Sequence, residues 1–434
     1  MRKKHETFVF FTINDSPKFK TTLKTSVVSQ ITSAAQLLQP SGQSFVAVNV
    51  AFSQSGLSKL GVTDDLKDAT FTGGQSADAT NLGDPGTVNW VGAFKDRKSM
   101  HGVLLVASDT QKSIDAQMQS LRTAFGSSMS ILYTLPGRIR SGRYAGHEHF
   151  GFLDGIGQPA ISGWDISPRR GQQVVTPGII LAGEPGDTVR GRPLWTKDGS
   201  FLAFRQLKQL VPEFEAFIDV KAPAVDGLTA HESKDLFAAR MVGRWKSGTP
   251  VDLAPLRDNP AIGADSNRNN DFTFLHGDNA LTFNSDQSRC PFHAHIRKTR
   301  PRADLPSPLN AIMRCGIPYG GEVTSGETRA KTSSPDIRLE RGLAFVAYQS
   351  NLANGFQFLQ KAWANNPNFI TNKTVAPGFD PIIGANHGGQ RFISGWDLKN
   401  TSSTTTLQSD FVVSRGGEYF FSPSISALRD VIAA

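Results

Sequence analysis

The sequence repeats one strand-to-helix unit, and this repeat limits the folds open to the chain. In residues 8–19, 201–214 and 345–356, an apolar run rich in β-branched and aromatic residues passes directly into a helix start. Such a run predicts a strand, and the proline or polar residue after it is typical of a helix N-terminus. Repeated units of this kind predict an α+β fold with helices packed against a sheet.

The first half of the chain completes the pattern. Ile114, Met118, Leu121 and Phe125 have the spacing of one helical face. Strands are predicted at 7–13, 44–52, 102–108 and 129–135, amphipathic helices at 19–38 and 109–125, and an irregular loop at 61–100. The order β-α-β followed by β-α-β is the ferredoxin-like arrangement.

The second half restarts the same pattern after a break. We predict a first domain over 1–162, a connector over 163–198 rich in glycine, proline and charge, and a second domain over 199–434. In the second domain, strands are predicted at 199–207, 342–350 and 416–423, helices at 211–218, 231–245 and 351–363, and a long loop at 254–288. The chain therefore reads as a duplicated ferredoxin-like fold whose two sheets pack against each other.

Residues 289–302 combine a thiol, two imidazoles and five cationic side chains. If this segment is extended, His293 and His295 point to opposite faces, so only one of them faces a given site. A neutral imidazole among cations suits a metal or an acidic cofactor. Arg314 follows in an apolar patch, and Asp154 lies between apolar and glycine residues. Together these are the parts of a redox or acid–base site.

Composition excludes several classes of function. The net charge is +8, but lysine and arginine are scattered, which indicates a solvated basic surface rather than a nucleic-acid interface. No apolar run approaches the ~18 residues of a membrane-spanning helix. Two cysteines are too few for a disulfide framework.

Six motifs in order resemble those of the haem-dependent dye-decolourising peroxidases, most closely the fungal members. The motifs are GFLDG at 151–155, SFLAFRQLKQLVPEF at 200–214, AHIRK at 294–298, MRCGIPYG at 313–320, GLAFVAYQS at 342–350 and EYFFSP at 418–423. The resemblance implies duplicated ferredoxin-like domains of the dimeric αβ-barrel type, with one haem b per chain bound mainly by the second half. It also implies a peroxidase, a monomer or homodimer, that reduces hydrogen peroxide and oxidises aromatic dyes and phenols.

The resemblance assigns roles to individual residues. It implies that His295 is the proximal iron ligand, with Asp380 as the acceptor for its second ring nitrogen. On the distal side it implies Asp154 as the acid–base group and Arg314 as the group that stabilises developing charge.

The resemblance also assigns roles to further residues, but the motifs that carry these assignments are less specific. Leu343 and Phe345 match apolar residues of the distal pocket, and Arg297 and Arg302 are candidates for contacts with the haem propionates. Trp363 and Tyr319 match positions proposed for surface electron transfer, which dyes too bulky for the pocket require. Cys290 and Cys315 would lie on opposite sides of the haem plane, which argues against a disulfide between them.

The resemblance implies secretion, although the first eleven residues have neither the long apolar core nor the small-residue cleavage site of a signal peptide. Since relatives of this type have a further segment before this point, we expect the sequence to begin at the lead-in to their first strand.

Two other functions stay open. A haem carrier on the same scaffold would need His295 but neither Asp154 nor Arg314. An Asp154-dependent hydrolase with zinc on Cys290, His293 and His295 would need a fourth ligand, and none is near in the sequence.

Overall fold

The structure of the protein is a computed structural model that describes residues 3–38, 45–165, 167–276 and 283–434. Its strands are β1 (His5–Ile13), β2 (Val46–Phe52), β3 (Gly102–Ser108), β4 (Met129–Arg138), β5 (Ala160–Ile161), β6 (Val174–Val175), β7 (Ser200–Gln209), β8 (Met313–Arg314), β9 (Ile317–Tyr319), β10 (Gly342–Gln349), β11 (Arg391–Ser394), β12 (Thr404–Leu407) and β13 (Val412–Ser422).

The longer helices are Gln111–Phe125, Ala230–Val242 and Val211–Lys221. The shorter α-helices and π-helical turns are Ser16–Thr22, Leu23–Val27, Ala34–Leu38, Gln54–Lys59, Ala69–Gly73, Gln75–Asp78, Gly92–Lys95, Pro260–Ala264, His295–Thr299, Ser325–Ala330, Phe356–Phe358, Leu359–Ala364, Ile425–Ala427 and Leu428–Ile432. Among the described residues, no helix is long and apolar enough to cross a lipid bilayer.

The two halves have the same strand order. In the first half the antiparallel order is β2-β3-β1-β4, and in the second half it is β13-β7-β10-β9. In both, the first strand of the half lies inside the sheet between the third and the fourth, as a ferredoxin-like unit requires. The predicted duplication is confirmed.

The two sheets also join at their edges. Phe52 of β2 pairs with Phe421 of β13, and Gly137 of β4 pairs with Tyr319 of β9, so the combined sheet closes into a barrel. A β-carbon on Gly137 would lie 2.5 Å from Cγ2 of Ile317, so a larger residue would push the two edges apart. The sequence predicts the packing of the sheets but not these two seams.

Alternating side chains of the strands separate the barrel interior from the layer of helices. On β1, Phe8 and Phe10 point inward and pack with Phe204 and Phe420 of the second half. Each such fully buried phenylalanine contributes about 1.5–3 kcal/mol of stability.

The outward face of β1 packs under the helices. Val9 and Phe11 lie in one cluster with Ile114, Met118, Leu121 and Phe125 of helix Gln111–Phe125. All four helical residues are buried, so the predicted helical face is confirmed.

The predicted loops contain more structure than their composition indicates. Residues 61–100 include three short helices, and the first begins where the carboxylate of Asp68 accepts the backbone N–H of Phe71 at 3.0 Å. Residues 254–288 include helix Pro260–Ala264. Residue 44 of the predicted second strand and 277–282 of this predicted loop lie outside the described residues.

The predicted helices 19–38 and 351–363 are interrupted. The first divides into the short helices between Ser16 and Leu38, and the second begins only at Phe356.

Candidate active site

A cavity of about 650 Å³ lies against the second half of the barrel. This volume is within the range of ligand and cofactor sites in proteins, about 300–1,000 Å³. Its wall includes side chains from β7, β10 and helix His295–Thr299, together with the loop that carries Asp154. The predicted connector also contributes Gly171, Gln172 and Gln173 to the wall, so it shapes the site as well as linking the halves.

His295 is the first residue of a short helix on one side of the cavity. Its Nδ1 lies 2.8 Å from Oδ2 of Asp380, a carboxylate with no exposed surface. The other oxygen of Asp380 accepts the backbone N–H groups of Ile382 and Ile383 at 2.8 and 3.0 Å. Burial alone would raise the pKa of Asp380, but the charge of His295 and these hydrogen bonds bring it below its ordinary value. Asp380 is therefore an ionised acceptor that fixes the ring of His295.

His293 lies in the turn before this helix and is fully buried. Its Nδ1 is hydrogen-bonded to the carbonyl oxygen of Ser394, and burial lowers the pKa of His293 to about 3. The segment is thus a turn followed by a helix rather than an extended strand, and of the two histidines only His295 lines the cavity, as the sequence predicts.

The zinc site of the hydrolase alternative is not formed. Within the described ranges, no group of three histidine, cysteine, aspartate or glutamate side chains is arranged to hold a metal ion.

Asp154 and Arg314 form a pair that also lines the cavity. Nη1 of Arg314 lies 3.1 Å from Oδ1 of Asp154, which also accepts the backbone N–H of Gly155 at 2.6 Å. Gly155 has φ of +82°, a conformation that glycine adopts without strain. Burial alone would raise the pKa of Asp154, but Arg314 and the Gly155 hydrogen bond lower it below its ordinary value. Asp154 is therefore a carboxylate that stays ionised in mildly acidic solution.

Two polar side chains that the sequence reasoning missed hold this pair in place. Gln158 accepts the backbone N–H of Arg314 at 3.0 Å and donates to the carbonyl of Arg314 at 2.7 Å. Glu148 accepts the backbone N–H groups of Phe150 and Phe152, at 2.9 and 2.8 Å, in the loop leading to Asp154. In the sequence, the only indication of either role is that both residues are polar and lie close to the GFLDG motif.

Three arginines form a cationic region of the cavity wall: Arg244, Arg300 and Arg302. Arg302 donates to the carbonyls of Asn270 and Phe272, and Arg300 to that of Gly171. In the described part of the chain, none of the three forms a salt bridge with a carboxylate. Burial lowers the pKa of each guanidinium, and the neighbouring cations lower those of Arg244 and Arg302 further. An anionic group bound here would relieve this repulsion.

Comparison with known proteins identifies the family. Residues 1–141 match the family described as the DyP dimeric alpha+beta barrel domain, and residues 182–373 match the Dyp-type peroxidase C-terminal domain. A dye-decolourising peroxidase of Exidia glandulosa is 53% identical over 436 residues, covering 100% of this chain and 85% of that protein. The chain belongs to the dye-decolourising peroxidase family. It is accordingly an oxidoreductase that acts on peroxide.

Solved structures agree with this assignment. A crystal structure of a decolourising peroxidase from Auricularia auricula-judae has a TM-score of 0.95 and 50% identity, covering 100% of this chain and 97% of that chain. A multifunctional dye peroxidase of an Amycolatopsis strain is 32% identical over 416 residues, covering 88% of this chain and 82% of that protein.

The other predicted pocket residues of this peroxidase have mixed outcomes. Leu343, Phe345 and Arg302 line the cavity. Arg297 does not: its guanidinium is buried and makes two hydrogen bonds to Asp304, at 2.7 and 3.0 Å. The prediction that Arg297 contacts a cofactor is wrong, because this side chain already has its carboxylate partner. Arg300 and Arg244 occupy the wall instead.

The two predicted surface relays of the peroxidase are both buried. Trp363 lines the cavity and stacks on Phe369, with the ring centroids 4.9 Å apart, and the hydroxyl of Tyr319 donates to Glu340 at 2.8 Å. Only 3% and 4% of these side chains are exposed, so the prediction of surface positions is wrong. Cys290 and Cys315 are both free thiols, as the sequence predicts.

Proposed function

We propose that this chain is a haem peroxidase in which His295 ligates the iron, Asp154 transfers the proton of hydrogen peroxide and Arg314 stabilises the charge that develops. The observation that carries the proposal is that the His295–Asp380 pair and the Asp154–Arg314 pair line the same cavity. One pair supplies an oriented ligand and the other an ionised base beside a fixed cation. Aromatic dyes and phenols are the proposed reducing substrates.

The residues of the cavity fit one haem b per chain. Because Asp380 engages Nδ1 of His295, Nε2 is left for a metal, and it makes no hydrogen bond to any described residue. Arg244, Arg300 and Arg302 provide cations without carboxylate partners, which suits the two propionates of haem. Leu207, Leu343 and Phe345 give the wall an apolar surface for a macrocycle.

The bound haem would supply the redox chemistry at the iron. Asp154, as the ionised base, would accept a proton from hydrogen peroxide and deliver it to the oxygen that departs. Arg314 holds Asp154 ionised and places a permanent positive charge beside the departing oxygen. Asp380 holds His295 in the tautomer that is protonated at Nδ1, so the lone pair of Nε2 is free to bind a metal. The carboxylate also increases the basicity of the imidazole.

The alternative of a haem carrier is less well supported. A carrier requires His295 and an apolar cavity, but it gains nothing from an acid–base pair. Asp154 and Arg314 are held by Gly155, Gln158 and the Glu148 loop, so this part of the wall is built around them.

The test is the absorption spectrum of the haem-reconstituted protein before and after one equivalent of hydrogen peroxide. The wild type should show a Soret band that shifts and then returns when a phenol is added. Asp154→Asn should bind haem equally but react with peroxide about 10²–10⁴-fold more slowly.

Asp226→Asn is the matched control, since Asp226 is an exposed carboxylate paired with Lys399. It should behave as the wild type. A Soret band that peroxide only bleaches would favour the carrier, and an Asp154→Asn protein that reacts at the wild-type rate would refute the proposed role of Asp154.

A further inference from the structure

A line of aromatic side chains leads away from the cavity wall. Phe356 lines the cavity, and the ring of Tyr419 lies 6.2 Å from it between centroids. Tyr419 and Phe421 are two residues apart on β13, so they lie on the same face of the strand. The ring of Trp195 lies edge-on to Phe421, with the centroids 5.6 Å apart.

The two members of this line that oxidise most readily each have a carboxylate acceptor. The hydroxyl of Tyr419 donates to Oδ2 of Asp78 at 2.7 Å, and both groups are buried. Nε1 of Trp195 donates to Oδ2 of Asp64 at 3.0 Å. Loss of an electron from a phenol or an indole makes its O–H or N–H strongly acidic. A carboxylate already hydrogen-bonded to that proton can take it without rearrangement.

The far end of the line reaches solvent. Trp195 is partly buried against the cluster of core residues between the sheet and the helices. Its neighbour Leu194 is 94% exposed. An indole edge beside an exposed apolar residue suits the docking of a flat aromatic molecule. Trp164 is more exposed in its own right, at 56%, but it has no aromatic ring contact with any described residue.

We propose that Trp195 is a surface oxidation site for bulky aromatic reductants, connected to the cavity through Tyr419. This inference rests on the proposed function, because it needs the oxidised cofactor as the electron acceptor. It also replaces the surface role that the burial of Trp363 and Tyr319 denies to those two residues.

The electrons balance as follows in each half of the cycle. One electron passes from Tyr419 to the oxidised cofactor while the phenolic proton moves to Asp78. Trp195 then gives one electron to Tyr419, which regains its proton from Asp78, and the indole proton moves to Asp64. A phenolic dye at the surface gives one electron to Trp195, which regains its proton from Asp64, and the dye releases its own proton to solvent. Two such turns supply the two electrons that reduce one peroxide to two waters, and the two protons released to solvent balance the two that the cavity takes up from it.

The test compares Trp195→Phe and Tyr419→Phe with the control Trp164→Phe, using a bulky phenolic dye and a small phenol that enters the cavity. Trp195→Phe and Tyr419→Phe should each lower kcat/KM for the dye by about tenfold or more and change that for the small phenol by less than about twofold. Trp164→Phe should leave both unchanged. Equal losses for dye and phenol, or no loss for the dye, would overturn the proposal.

A second measurement uses the wild type alone and does not depend on how the variants fold. Peroxide is added without any reductant, and the protein is frozen for electron paramagnetic resonance or digested for peptide mass spectrometry. We expect a tryptophanyl radical and oxygen added to Trp195 in preference to Trp164. Oxidation of Trp164 in preference to Trp195 would overturn the proposal. If the wild type fails to oxidise even the small phenol, the proposed function itself fails.

Discussion

Replacing Arg314 with leucine should move the acid limit of peroxide reactivity to higher pH. In the wild type, the cation of Arg314 lies 3.1 Å from Asp154 and keeps the pKa of that carboxyl below its ordinary value. Leucine removes the charge and the hydrogen bond, so the carboxyl will protonate at a higher pH. On acidification, Asp154 of the variant therefore stops acting as a base at a higher pH than in the wild type.

The expected shift of the acid limit follows from the distance between the two charges and their exposure to solvent. Two unit charges about 4 Å apart interact by about 4 kcal/mol at an effective dielectric constant near 20. The side chains of Arg314 and Asp154 are 29% and 37% exposed, so solvent screens part of this energy. After that discount about 1–1.5 kcal/mol remains, which corresponds to a rise of roughly one pH unit.

The assay is the rate of the absorption change after mixing with peroxide, measured from about pH 2 to pH 7, the range in which carboxyl groups titrate. Arg314→Lys is the control, because it keeps the positive charge and should leave the acid limit within about half a unit of the wild type. A leucine variant whose rate falls uniformly, with the acid limit unmoved or displaced to lower pH, would refute the reasoning.

Two further predictions concern stability. Burial alone would raise the pKa of Glu327, but hydrogen bonds from Arg341 and nearby backbone N–H groups lower it from 4.5 to about 2. The stabilisation is therefore present above about pH 4.5 and is lost as the pH falls towards about 2. Glu327→Gln should cost about 3 kcal/mol in urea unfolding at neutral pH and almost nothing near pH 2. Lys298 is buried and donates hydrogen bonds to the carbonyls of Asn366, Phe369 and Gly378. Lys298→Met should therefore lower the free energy of unfolding by about 3 kcal/mol or more. The control Lys112→Met, on an exposed helix surface, should change it hardly at all.

The sequence predicts those elements whose signal is local. The apolar run of β3 has the same bounds in the sequence and in the structure, and helix Gln111–Phe125 begins two residues from its predicted start. The seams of the barrel have no local signal, since the pairs Phe52–Phe421 and Gly137–Tyr319 join residues far apart in the sequence.

In the candidate site, too, most residues with a local sequence signal are located correctly and those without one are not. His295, Asp154 and Arg314 lie in motifs that the sequence singles out, and the structure brings all three to one cavity. Arg297 is misassigned because the segment is a helix: His295 and Thr299, four residues apart, share the cavity face, and Arg297 lies on another face.

Arg244 has no motif at all. It reaches the cavity only because the chain returns there after the end of helix Ala230–Val242.

Closure of the barrel at Phe421 has a consequence for synthesis on the ribosome. The sheet of the first half has its strands by Arg138, but its β2 edge finds a partner only when Phe421 has been made. That is roughly 280 residues later, or about 15–60 s at translation rates of about 5–20 residues per second. For that time the nascent chain presents an unpaired apolar strand edge, which other nascent chains can extend. Slower growth or a co-produced chaperone should therefore raise the yield of soluble protein more than a stabilising substitution in the finished barrel.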